Sequence, residues 1–237
     1  SVARKITDRF LSPECLSYLS AAEIFAFAGN TARAEALLAQ AQKVYKDESK
    51  SLSPHLLRLM ESDFASAEGT VALMAGRYAQ AVEKLEKAQS IRSETGMATE
   101  DMAMGRLLGL SYEGLGELEK ASAAYRDSIR LAERVRKSYT VAERAAFFRS
   151  TAQRAYHGLI RVSARQAGTS DVNRFWEAVQ SSELVRAQQM GDLIDPGAPA
   201  VISAEALDQL RADLAPNEAV LYFTLTERDL VVLAFTR

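Results

Sequence analysis

A single cysteine, Cys15, excludes an internal disulfide. Only two histidines, His55 and His157, are present, which argues against a multi-histidine metal centre. Five prolines and twelve glycines fall mostly at punctuation points, so nearly everything between them is free to be helical. No apolar run approaches the ~20 residues that a membrane helix needs. The start, Ser1-Val2-Ala3-Arg4-Lys5, lacks the apolar core of a signal peptide. The cytoplasm is therefore favoured, with a signal removed ahead of Ser1 left open. Lys+Arg 29 against Asp+Glu 31 gives a formal charge of −2, which excludes a uniformly basic coat for nucleic acid. What is present is ordinary for a folded protein: 48% hydrophobic and 25% charged residues in a chain of 237. That length suits one large domain or two small ones and buries about 70% of the unfolded surface.

Three segments share a pattern. Gly29 is followed by Ala34, Leu38 and Ala41; Gly76 by Ala81, Leu85 and Ala88; Gly116 by Ala121, Tyr125 and Ser128. Each glycine suits a turn that needs positive φ. The small residues seven apart stay near one helix face and let a neighbouring helix approach closely. An amphipathic stretch precedes each glycine, so every unit reads as helix–turn–helix. Ser12-Pro13 and Ser53-Pro54 each pair an N-cap with proline at the first helical position. Thr99-Glu100-Asp101 puts acid in a first turn. Thr140-Val141-Ala142-Glu143 fits a capping box that opens one long helix over 140–167. An eighth helix follows over about 171–193.

The pattern changes at Asp195-Pro196-Gly197-Ala198-Pro199, which reads as a linker over 195–202. A short helix is expected over 203–214. The runs Ala219–Leu225 and Leu230–Thr236 are rich in β-branched and aromatic residues and flank a loop, Thr226–Asp229, so they predict a hairpin. An isolated hairpin is marginal in water. One face is therefore expected to pack on the last repeat and the 203–214 helix, and the open face or edge to meet a second copy of the chain.

The Gly-x4-Ala-x3-large-x2-small pattern resembles the tetratricopeptide repeat, in units longer than the ~34 residues of its minimal form. The segment 175–194, with Glu183 to Ala187 inside it, resembles the last repeat helix before a bacterial CHAT domain. Residues 207–237, including Leu214-x-Pro-x-Glu-x-x-Leu221, look like the opening of that domain, a caspase-like cysteine peptidase. The resemblance implies a mainly α chain: a right-handed α-solenoid of about four helix pairs over 1–194, then the linker, then an N-terminal fragment of a CHAT domain over 203–237. It implies a non-catalytic scaffold that binds a protein or peptide and regulates or targets an attached peptidase. The alternatives are part of a hydrolase whose Cys and His lie beyond Arg237 and, ranked below it, a nucleic-acid-associated repeat protein that uses the Arg-rich helix. By repeat register the peptide groove consists of Leu19, Glu23, Phe27, Ser66, Thr70, Leu73, Arg106, Leu110 and Glu113.

Other chemistry reads weakly. Cys15 lies near a helix start, where a thiol pKa can fall, but a small packing residue is the expectation. Neither histidine has a ligand-like neighbour at i+4, so no metal and no cofactor is expected. Gly114-Leu115-Gly116 lacks the third glycine of a dinucleotide loop and follows a helix instead of a strand. From Arg130 to Arg165 nine Lys/Arg face two acids, Glu133 and Glu143. At about 100° per residue, Arg144, Arg154, Arg161 and Arg165 share one arc, a basic docking stripe, with Arg149 toward the apolar side. Aromatic residues do not alternate with these arginines as base stacking wants, which argues against nucleic acid.

Overall fold

The computed structural model describes residues 13–95, 101–136, 138–140, 143, 147–148, 152–167, 172–194, 209, 212–215, 219–226 and 229–236. The chain is mainly helical and comprises two compact units, Ser1–Gly116 and Glu117–Arg237. Among the described residues no helix is long and apolar enough to cross a membrane.

The first unit holds α1 (Pro13–Phe27), α2 (Thr31–Glu48), a 3-10 turn (Ser49–Ser51), α3 (Pro54–Met74), α4 (Tyr78–Thr95) and α5 (Asp101–Leu115). Its turns form for the reason the sequence gives. Gly29 and Gly76 take φ of 80° and 73°, a region closed to most L-residues. Gly29 N–H donates to Ala26 O at 2.9 Å and Asn30 N–H to Phe25 O at 2.9 Å. Gly76 and Arg77 repeat this on Leu73 and Ala72. These paired bonds make the Schellman motif, which satisfies the last carbonyls of each helix. The next helix then starts at once: the Asn30 side chain accepts from Arg33 N–H at 3.1 Å. Ser53 caps α3 by accepting from Leu56 N–H, with Pro54 first in the helix.

The repeated small residues are the contact points. Ala34, Ala41, Ala81 and Ala88 are all fully buried. Gly69 in α3 belongs to the same logic, because a Cβ there would stand 2.7 Å from Leu85 Cγ. Accordingly α1 packs on α2, α3 on α4 and α4 on α5, while α3 also touches α1, α2 and α5. Two apolar clusters fill the gaps, one around Cys15, Leu19, Met60 and Phe64, the other around Ala22, Ala26, Leu37 and Val71.

The second unit holds α6 (Leu118–Arg136), α7 (Gln153–Ala167), α8 (Val172–Ile194) and the strands β1 (Ala219–Leu225) and β2 (Leu230–Thr236). Gly116 at the boundary takes φ of 76°, as the repeat pattern requires. Ala121, Tyr125 and Ser128 are buried. The Tyr125 ring lies where a side chain on Gly158 of α7 would be, 2.3 Å from its Cβ position. One carboxylate ties the three helices together. Glu177 on α8 accepts from Arg126 Nε at 2.6 Å on α6, from Ser163 Oγ at 2.9 Å on α7 and from Arg174 Nη1 at 3.1 Å.

Of the helix expected over 140–167, Glu143 and Phe147 are α-helical, Phe148 and Ala152 have π-helical backbone, and α-helix runs from Gln153 to Ala167; 141–142, 144–146 and 149–151 lie outside the described residues. Half of the expected capping box is seen: Glu143 accepts from the Thr140 backbone N–H at 2.9 Å, while the Thr140 hydroxyl also donates to Glu143, at 2.7 Å. The linker 195–202 lies outside the described residues, as does most of 203–214, of which Gln209, Ala212 and Asp213 are helical. Both strands coincide with the sequence reading, antiparallel from Ala219↔Thr236 to Leu225↔Leu230. Thr226 closes the loop, its N–H donating to Asp229 O at 2.8 Å. One hairpin face, with Leu233 and Val231, packs on Ala164, Phe175, Ala178 and Val179. The other face leaves Leu221, Phe223, Leu225, Leu230 and Val232 exposed.

Candidate functional site

The site builds up from α1. Cys15, Leu19, Ala22 and Ala26 recur at steps of four and three and are buried against α2 and α3. Glu23, Ile24 and Phe27 lie off that stripe. Ile24 is 67% exposed and Phe27 50%, a large amount of apolar surface for two neighbouring residues in water. On the α3 side, Thr70 Oγ1 donates to Glu23 Oε1 at 3.4 Å. Burial raises the Glu23 pKa; hydrogen bonds from Thr70 and Ser66 and the charge of Arg92 oppose that rise, and Asp63 adds to it. From α5, the Arg106 guanidinium stands 6.0 Å from the centroid of the Phe27 ring, within cation–π range.

The nine groove residues predicted by register therefore divide. Glu23, Phe27, Arg106 and Glu113 are reachable from solvent. Leu19, Ser66, Thr70, Leu73 and Leu110 are buried and form the floor and the helix contacts. What register does not supply is how closely neighbouring helices approach, as α2 and α3 do around Ala22 and Ala26. Ile24 was missed, although its i,i+3 relation to Phe27 placed it beside the stripe.

No protein-family model matches the chain, and no curated protein matches it.

A second hollow, of about 580 Å³, lies across α3 from this face, lined by Tyr45, Leu57, Phe64 and Ala65 and by charged groups. Its cations are already paired: Lys84 with Glu68 at 2.6 Å, Lys87 with Glu61 at 2.8 Å, and Arg58 with Glu61 and Glu94 at 3.0 and 2.7 Å. A ligand entering there would have to break ion pairs that neutralise each other.

The basic stripe is corrected. Arg154 and Arg165 are exposed, but Arg161 between them is buried, with Nε 3.6 Å from Asp229 Oδ2 in the hairpin loop. The hairpin folds back over the middle of α7, a non-local cover that helical periodicity cannot reveal. Arg144 and Arg149 lie outside the described residues. On the apolar side Phe148, Ala152, Ala155 and Leu159 are buried as expected.

Cys15 is fully buried, and its thiol donates to Ala41 O at 3.6 Å. Burial raises its pKa to about 11, so it is a packing thiol and remains protonated at neutral pH. His55 is exposed, whereas His157 is buried with Nε2 3.4 Å from Gln153 Nε2. Among the described residues no three His, Cys, Asp or Glu side chains gather in a way that could hold a metal ion.

Proposed function

We propose that this chain is a protein-interaction module of tetratricopeptide type, a right-handed solenoid of about four helix pairs that takes an extended peptide on the α1–α3–α5 face. The observation that carries the reading is the meeting of Phe27 and Arg106, from helices far apart in sequence, beside the exposed Ile24. Phenylalanine and arginine are both enriched at protein–protein interfaces. In this reading the module itself carries no catalytic residue. It regulates or targets an attached CHAT-type peptidase domain, of which the C-terminal hairpin is the opening.

The test is a selection of random twelve-residue peptides on the purified chain, followed by calorimetric titration of synthetic versions. Micromolar binders are expected, weakened about tenfold or more by Phe27→Ala and by Arg106→Ala at unchanged melting temperature. A selection that enriches nothing, or binders indifferent to both substitutions, would overturn the reading.

A further inference from the structure

Among the described residues, no cation touches the Glu23 carboxylate. It is half-buried on α1, where the Thr70 hydroxyl donates to it at 3.4 Å and the Ser66 hydroxyl also favours its charged form. Neither brings charge. The charge of Arg92 also acts on Glu23, while Arg92 Nε donates to Ser62 Oγ at 3.1 Å and Nη2 to Asp63 Oδ1 at 3.4 Å. Asp63 pushes the other way. Among the described residues no Lys or Arg nitrogen comes within 4.0 Å of the Glu23 carboxylate. A partly desolvated anion in this position favours an arriving cation and opposes an arriving anion.

The surface around it fits the rest of a cationic side chain. Phe27 is at i+4 from Glu23, so their Cβ atoms are about 5–6 Å apart on one face. The ring already faces one guanidinium, that of Arg106. Ile24, 67% exposed, adds an apolar strip beside it. Lysine and arginine lay their methylene stems on such surface and extend the charged head to a polar group at its end.

We propose that the α1–α3–α5 face takes its peptide through a lysine or arginine side chain whose charged end meets Glu23 while its stem lies along Phe27 and Ile24. This rests on the peptide-binding reading above and adds the chemistry of the ligand.

The selected peptides supply the test. The tightest is synthesised with its basic residue intact and with norleucine in its place. Each form is titrated against the unaltered chain, Glu23→Gln and Glu23→Asp. The expected result is a lysine or arginine next to an apolar residue in most selected peptides. Affinity falls about tenfold with norleucine and about tenfold with Glu23→Gln, as loss of one charge-assisted contact implies. Combining the two costs nothing further, and Glu23→Asp keeps the preference for the basic peptide. Selected peptides without a shared basic residue would overturn the proposal, as would two losses that add, since an additive cycle means the groups do not meet. Either result leaves peptide binding standing if Phe27→Ala and Arg106→Ala still weaken it. A selection that yields no binder ends both readings. The norleucine comparison needs no altered protein, so a Gln variant that misfolds cannot shelter the proposal.

Discussion

Gly158 is the residue whose role the sequence conceals most. In the middle of a helix a glycine costs about 1 kcal/mol relative to alanine, and nothing in α7 calls for a turn. Its reason is the fully buried Tyr125 ring, which occupies the space a methyl group would need. Gly158→Ala gains helix propensity but forces the ring aside in a packed interior, an overpacking cost of about 1–3 kcal/mol. A lower urea midpoint is expected, with part of the loss recovered in the double variant that adds Tyr125→Leu. Recovery by Tyr125→Leu separates a steric cause from a backbone one. Glu23 is the opposite case. Its raised pKa means that stability conferred by the protonated form is lost as pH rises from 4.5 through the folded value, so the ionised carboxylate is held at a cost at neutral pH.

Between helices, Glu177 does the most. Hydrogen bonds from Arg126, Ser163 and Arg174 outweigh the effect of burial and hold its pKa below 4.5. The native state therefore favours the charged form, and its contribution is complete above the unfolded value and lost as pH falls through the folded one. Glu177→Gln should lower the neutral-pH stability of the second unit by about 1–2 kcal/mol, a figure discounted because Arg126 is half-exposed. It should also flatten the acid limb below pH 4.5, which chemical denaturation across pH would record. An acid limb identical to that of the unaltered chain would remove Glu177 from its tying role. Local signals made most elements legible. The three glycine turns, the Ser53-Pro54 start of α3, the Thr140 cap and both strands follow from residues within a few positions of one another. What stayed hidden is non-local: the Glu177 cluster joins residues on three helices, Arg161 lies under a loop far along the chain, and five of nine groove positions close against neighbouring helices. Register can say which side of a helix faces a neighbour. It cannot say how near that neighbour comes, and on this face the distance separates floor from surface.

At the scale of the whole molecule, each unit has an apolar interior of its own, so denaturation need not follow a single two-state transition. The hairpin is where the second unit meets solvent least comfortably. Five large apolar residues share its outer face, with no charged residue in either strand. Such a face favours self-association. Sedimentation at micromolar concentration should show species heavier than 26.0 kDa, and Leu225→Glu combined with Leu230→Glu should return the chain to that mass. A monomer at every concentration would show that the face is tolerated as it stands. The glycines at 29, 76 and 116 carry a consequence of a different kind. Each is exposed and holds φ near +75°. That is the mirror image of the backbone an L-residue adopts inside a helix. Handedness therefore reverses for one residue at each of the three turns, and glycine fills the place because it is achiral. A D-alanine introduced there by chemical synthesis would be in its own preferred conformation, and it would leave the unfolded chain fewer states than glycine does.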